Sequence, residues 1–410
     1  MHKEIKKCRI SDSTNLVPVL SLGEQYLSGI FPSEKNKKIS KGPLDLVWCP
    51  DSGLVQLKQS YSLVEMYGDN YGYRSGLNQS MINHLTQKAK YLEKLCNITS
   101  GDLVVDIGSN DATFLKAFTV SSIKRVGIDP SGSKFIRFYT SGIDLIDEFF
   151  PSDTFDKKYK NKKAKLVTSI SMFYDLEDPL GFIENISNIL DDDGVWHFEQ
   201  SYMPSMLRTV SYDTICHEHL EYYSLGVVKN MLDKFDLVIA DVQFNDVNGG
   251  SFAITAAKNG SSIKKNKPIV DWLLMQEYKM GLNTIKPYEE FKNKVYNHRE
   301  NMVGLIRALN DDGKKIIGYG ASTKGNILLQ FCGLTDKEIP FIAEVNQDKF
   351  GCVTPGSNIP IISETEARKM KPDYLFILPW HFKNGILQRE KEFISNGGKF
   401  IVPLPEIQII

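Results

Sequence analysis

Leu103-Val104-Val105-Asp106-Ile107-Gly108-Ser109-Asn110-Asp111-Ala112-Thr113-Phe114-Leu115-Lys116-Ala117-Phe118 is the stretch that decides the fold class. An apolar strand runs into a turn of small and polar residues, and a helical pattern follows from Thr113. The alternation continues outward. Arg125-Val126-Gly127-Ile128-Asp129 and Lys165-Leu166-Val167-Thr168-Ser169-Ile170 read as strands, Pro179 to Leu190 as a helix, and Gly194-Val195-Trp196-His197-Phe198-Glu199 as a further strand. Strands alternating with helices predict a doubly wound parallel sheet, an α/β fold.

Upstream, Met81, Ile82, Leu85, Ala89, Leu92 and Leu95 recur at helical spacing, so a helix from Asn78 to Leu95 leads into this domain. Before about residue 75, Gly, Pro and Ser break the chain into short β-like runs such as Leu44-Asp45-Leu46-Val47-Trp48-Cys49 and Leu54-Val55-Gln56-Leu57. Downstream, helix formers and charge dominate from about Val270 to Asn310. A second α/β pattern begins at Lys314-Lys315-Ile316-Ile317-Gly318-Tyr319-Gly320 and runs through Phe341-Ile342-Ala343-Glu344-Val345, Tyr374-Leu375-Phe376-Ile377-Leu378 and Phe400-Ile401-Val402. The expected organisation is a small β-rich module over 1–75, a central α/β domain over 76–260 and a second Rossmann-like unit over 261–410.

The 410 residues, 42% of them hydrophobic and 11% aromatic, suffice for a large buried core. With 49 basic and 50 acidic side chains the formal charge is -1, so no global field draws the chain to nucleic acid or to an anionic membrane. No apolar signal core follows the start and no run of about 18 apolar residues occurs, which points to the cytoplasm. The six cysteines are spread too widely for a disulfide framework.

The turn after Asp106 is where a ligand approaches the backbone and meets helix N–H groups. Gly108 lacks the second glycine of the dinucleotide fingerprint, and Asp129 ends the next strand, where an acid accepts ribose hydroxyls. Asp106, Gly108, Ser109, Asn110, Asp111 and Asp129 therefore suit the adenosine end of a methyl donor better than NAD. Glu148 and Phe149, after the next apolar run, either frame an adenine or cap a helix. A second glycine-rich turn offers Tyr319, Ser322, Thr323, Lys324 and Asn326 to a diphosphate, without P-loop spacing.

Tyr212-Asp213-Thr214-Ile215-Cys216-His217-Glu218-His219-Leu220-Glu221-Tyr222-Tyr223 concentrates two of the seven histidines with acids and phenols. His-Glu-His invites a metal reading, but it lacks the helical H-E-x-x-H spacing, and imidazole beside carboxylate and phenol equally makes a general base.

These blocks together resemble the S-adenosylmethionine-dependent sugar C-methyltransferases of deoxysugar biosynthesis. The resemblance rests also on Leu22-Gly23-Glu24-Gln25, Pro43 to Pro50, Tyr71-Gly72-Tyr73-Arg74-Ser75, Asn248-Gly249-Gly250-Ser251, Gly320 to Asn326, Thr354-Pro355-Gly356 and Ile401 to Pro405. It implies a zinc-binding-like module, a class I methyltransferase domain and a C-terminal Rossmann-like domain that binds nucleotide sugar. The implied reaction is methyl transfer to a ring carbon, C3 in expectation, of a nucleotide-linked 4-keto-6-deoxy sugar. A ring C–H becomes nucleophilic only beside a ketone that takes the charge as an enolate, so a base and enolate-stabilising donors are required. The resemblance assigns His219 as base, with Glu218 and His217 orienting it or holding hydroxyls, and Tyr71, Tyr73 and Tyr222 as phenols.

The departures from the family pattern carry information too. Cys8-Arg9-Ile10-Ser11 and Cys49-Pro50-Asp51-Ser52 each lack the second thiolate of a Cys-x-x-Cys pair, so zinc is not expected. Cys216 stands where a tyrosine is common, and Asp175 falls in a loop where a histidine is common; both are read as substrate-binding. A monomer is expected. An O- or N-methyltransferase, or a catalytically silent nucleotide-sugar-binding homologue, are the competing readings.

Overall fold

The computed structural model describes residues 2–35, 37–62, 66, 74–160 and 162–410. The N-terminal module contributes β1 (Lys3–Glu4), β2 (Val17–Tyr26), β3 (Lys41–Trp48), β4 (Val55–Leu57) and β5 (Gln59–Ser60). β2, β3 and β4 form an antiparallel meander, and β1 pairs with β5.

The middle of the chain supplies β6 (Leu103–Ile107), β7 (Lys124–Ile128), β8 (Ile143–Ile146), β9 (Ala164–Ile170), β10 (Leu190–Ser201), the two-residue β11 (Glu221–Tyr222), β12 (Leu237–Asn245) and β13 (Ser251–Lys258). Its sheet is ordered β12-β13-β10-β9-β6-β7-β8. The strands from β8 to β10 run parallel, and every residue of β6 is buried, as expected of a strand covered on both faces. β13 lies antiparallel to both its neighbours, an edge that the parallel sheet read from sequence did not include. Only Asp246–Gly250 separates β12 from β13, too short for a crossover, so the two close as a hairpin.

Helix α1 (Gln79–Leu95) begins at Asn78, whose side chain accepts from the Ser80 N–H, and packs Leu85, Ala89 and Leu92 inward. Its buried Lys88 lies 2.7 Å from Glu199 on β10, which also meets His84 at 2.7 Å. Helices α2 (Pro179–Ile189) and α3 (Leu225–Asp233) add to the core of this unit. Helix α4 (Lys267–Lys279) joins them through Val270 and Leu273.

The C-terminal unit holds β14 (Ile316–Tyr319), β15 (Ile342–Glu344), β16 (Ile361–Ser363), β17 (Tyr374–Ile377), β18 (Lys399–Val402) and β19 (Gln408–Ile409), ordered β16-β15-β14-β17-β18-β19. All are parallel except β19. Helix α5 (Lys286–Asp311) packs on this unit and on β2, and α6 (Thr323–Cys332) follows the turn after β14.

β11 ties the units together. It pairs with β4 through Glu221↔Gln56 and Tyr222↔Val55, so the module's sheet, β11-β4-β3-β2, takes its edge strand from the middle of the chain. Cys8, Cys49 and Leu54 pack into the core of the seven-stranded unit, while Leu44, Leu46 and Trp48 share a core with the C-terminal unit. The module is thus wedged between the two α/β units. Among the described residues no helix is long and apolar enough to cross a membrane.

Candidate active site

The strand ends of β6, β7 and β9 shape the first half of the site. Gly108 has φ +77°, and Asn110 and Ala112 follow at +49° and +58°, so the loop curls tightly between strand and helix. Asp129 pins it: one carboxylate oxygen accepts from the Asn110 N–H at 2.8 Å and the other from the Ser131 N–H at 2.7 Å and its hydroxyl at 2.6 Å. The oxygen facing Asn110 keeps one lone-pair direction for a ribose hydroxyl. Ser109 bonds the Tyr139 hydroxyl at 2.8 Å, and Asp111 accepts from the Gly76 N–H at 3.0 Å. Asp106 accepts from Thr168 at 2.6 Å through one oxygen, and burial pushes its pKa up to about 7, with Asp129 adding to the rise. A buried acid short of positive charge fits the cationic amino end of S-adenosylmethionine. Glu148 instead takes the Ser152 and Thr154 hydroxyls at the start of the next helix, and Phe149 lies exposed.

The second half is the loop from Asp213 to Tyr222. His219 Nδ1 lies 2.8 Å from the Thr214 carbonyl. A carbonyl only accepts, so Nδ1 carries the proton and Nε2 of the neutral ring carries the lone pair. Nε2 has no partner among the described residues. Burial lowers the His219 pKa to about 4, and the Lys324 ammonium contributes. The ring packs on Tyr174, centroids 4.2 Å apart, beside the loop that follows β9.

His217 faces elsewhere: Nε2 donates to the Gln25 carbonyl at 3.1 Å, and the ring meets Tyr61 edge-on in the N-terminal module. One Glu218 oxygen is buried without a partner, and burial raises this carboxyl's pKa. The other lies against Gly29, where an added Cβ would stand 3.1 Å from it. The Tyr222 hydroxyl is buried and unpartnered, and Asp175 interacts electrostatically with Tyr222 and Cys216. Burial, then Glu218 and Asp175, push the Cys216 thiol well above its usual pKa, so it is a neutral hydrogen-bonding group.

The turn after β14 closes the site. Ser322 caps α6 by accepting from the Gly325 N–H at 3.0 Å, and Asn326 donates to the Ser28 carbonyl at 2.7 Å. The Tyr319 hydroxyl is taken up by Glu390 at 2.8 Å and Arg389 at 2.5 Å. Of the residues read as diphosphate ligands, Thr323 and Lys324 face the His219 loop: a Cβ at Gly29 would be 4.0 Å from Thr323 Oγ1, and Lys324 acts on His219, Asp213 and Cys216. Tyr71 and Tyr73 lie outside the described residues.

Sequence reading gave no role to Asp213, Trp380 or His381. Trp380 donates to Asp213 at 2.7 Å across the seam, leaving the second Asp213 oxygen buried without a partner. His381 Nδ1 is likewise unpartnered, and burial, then Lys324, hold its pKa at about 3. The available signal was position, since both aromatic residues follow β17 at the carboxyl edge of a parallel sheet.

The chain is similar to known proteins along its whole length. Family models match in chain order: a zinc binding domain over 8–67, a methyltransferase domain over 81–242 and a C-methyltransferase C-terminal domain over 246–405. The C-methyltransferase NovU of Streptomyces niveus is 32% identical over 411 residues, covering 100% of this chain and 97% of that protein. A solved S-adenosylmethionine-dependent methyltransferase of Clostridium acetobutylicum covers 44% of this chain and 92% of its own, at 12% identity and TM-score 0.34. The N-methyltransferase NodS of Bradyrhizobium japonicum covers 44% and 99%, at 12% identity and TM-score 0.32.

Proposed function

The chain belongs to the S-adenosylmethionine-dependent C-methyltransferases, and from that premise we propose that it methylates a ring carbon, C3, of a nucleotide-linked 4-keto-6-deoxy sugar in the cytoplasm, as a monomer. The observation that carries this reading is His219. Its Nδ1–H is fixed on the Thr214 carbonyl and its Nε2 is open, on a ring that packs on Tyr174 after β9 and feels the Lys324 ammonium from the turn after β14.

S-adenosylmethionine, held by Asp106, the Gly108 turn and Asp129, supplies a sulfonium-bound methyl group. His219 Nε2 takes the proton from the carbon next to the ketone. The Thr214 carbonyl keeps the ring in the tautomer that accepts there and stabilises the imidazolium as it forms. Lys324 and the Tyr222 hydroxyl are the donors for the enolate oxygen, worth more in a dry site than in water. Glu218, Asp175 and Cys216 hold sugar hydroxyls, with Tyr71 and Tyr73 as further phenols. The α6 N-terminus with Thr323 takes the diphosphate, and Lys324 adds positive charge.

The test incubates the enzyme with S-adenosylmethionine and nucleotide-linked 4-keto-6-deoxy sugars, following S-adenosylhomocysteine and mapping the new methyl group by NMR. A methyl group on oxygen or nitrogen would replace this reading with the O- or N-methyltransferase. In deuterated water the wild type should exchange the α-proton of the ketone and His219→Ala should not. Undiminished exchange in that variant would remove His219 as the base.

A further inference from the structure

The match of residues 8–67 to a zinc binding domain raises the question of what holds this module together. A structural zinc site is closed by four Cys or His donors, with sulfur about 2.3 Å from the metal. Here the positions that would supply them are Cys8, Ser11, Cys49 and Ser52, and they do converge. Cys8 Sγ lies 3.2 Å from Ser52 Oγ, and Ser11 Oγ lies 3.9 Å from Cys49 Sγ. The Ser52 N–H bonds the Cys49 carbonyl, the Ser11 N–H bonds the Cys8 carbonyl, and Gly53 at φ +77° completes the second knuckle. The knuckle frame is intact, but two corners carry hydroxyls, which are poor zinc ligands at neutral pH. Among the described residues no three His, Cys, Asp or Glu side chains come together to hold a metal ion.

Each thiol is satisfied otherwise. Cys8 and Cys49 are buried and packed with Ile10, Leu54, Tyr223, Leu225 and Val227, in a core shared with the seven-stranded unit. Arg9, between the first two corners, donates to the Leu57 carbonyl at 2.6 Å, the Gln59 carbonyl at 3.2 Å and the Ser60 hydroxyl at 2.8 Å. It also lies 3.5 Å from Glu221 on β11, two residues beyond His219. The frame is thus fastened to the catalytic loop by a guanidinium and a strand.

We infer that this chain has a metal-free knuckle: two crossed thiol–hydroxyl pairs, Cys8 with Ser52 and Cys49 with Ser11, occupy the place of a zinc centre, and the loop carrying His219 is positioned without metal. The inference concerns the module and does not depend on the substrate.

The test loads wild type and the Ser11→Cys/Ser52→Cys variant with zinc alone, desalts them, and measures bound metal and thermal unfolding with and without chelator. Wild type should retain no stoichiometric zinc, and its unfolding midpoint should not move on chelation. The double variant should retain one zinc per chain, and its midpoint should fall when the metal is stripped. Independently, wild-type protein denatured in a zinc-sensitive dye should release no metal while exposing six free thiols. One zinc per wild-type chain, removable with a drop in midpoint, overturns the inference. A folded double variant that takes up no zinc overturns the convergence of the four corners. Should the variant fail to fold, the dye measurement on the wild type decides.

Discussion

His219 and Asp106 show how burial sets the working charge of single residues. With the His219 pKa near 4, the ring is neutral and able to accept a proton throughout the neutral range. At saturating S-adenosylmethionine, where Asp106 no longer enters, the acid limb of kcat/KM for the sugar should therefore lie near pH 4, not at the value of about 6.5 for an ordinary histidine. A pH–rate profile breaking near the ordinary value would refute this. Replacing His219 by Asn should lower kcat/KM by about 10²–10⁴-fold, measured on the same profile. Asp106 works in the opposite sense. Its free-enzyme pKa is about 7, and a cationic ligand favours the carboxylate, so binding lowers that pKa and releases a proton when the pH is below the free value. Affinity for S-adenosylmethionine should consequently weaken as pH falls below neutrality, by at most about tenfold per unit. Calorimetry in buffers of different ionisation enthalpy should detect the proton in wild type and not in Asp106→Asn. The candidate residues drew notice in the sequence because they cluster, but the different orientations of His217 and His219 were not legible there. Each ring is oriented by a backbone carbonyl, of Gln25 and Thr214, which no side-chain pattern encodes.

At the level of elements, the two strand-to-helix turns look alike in sequence but tolerate change differently. Gly108 and Gly320 both have φ in the left-handed region. A Cβ at Gly108 meets the Met172 side chain at 3.1 Å, which can shift, whereas one at Gly320 lands 2.7 Å from the Pro379 ring, which cannot. Gly320→Ala should lose about 1–2 kcal/mol more stability than Gly108→Ala in urea unfolding. Equal losses would mean that strain, not contact, dominates. The parallel strands were legible because strands covered on both faces are continuous apolar runs, as in β6 and β14. The β12–β13 hairpin was not, since β13 is buried along nearly its whole length and an apolar run of that kind reads the same whether its neighbours are parallel or antiparallel. β11, two residues long, is defined only by its partner β4.

On the scale of the whole molecule, the seam between the units is polar and specific. Trp380 and Asp213, 167 positions apart, meet in one buried hydrogen bond. Trp380→Phe removes the donor from one Asp213 oxygen, the other being already unpartnered, and should reduce kcat severalfold while leaving the affinity for S-adenosylmethionine unchanged, because the Asp106 pocket lies in another part of the site. A parallel loss of cofactor affinity would show that the seam also shapes that pocket. The wedging of the first module between the two α/β units was not readable from sequence, because surfaces buried between units carry the same apolar pattern as any core. The pairing of β11 with β4 also orders events during synthesis. The edge of β4 stays open until residue 222 has left the ribosome, so the first module to be made is the last of its sheet to be sealed. Its exposed backbone edge is a transient liability of the nascent chain, and closing it is the same event that brings His219 into place.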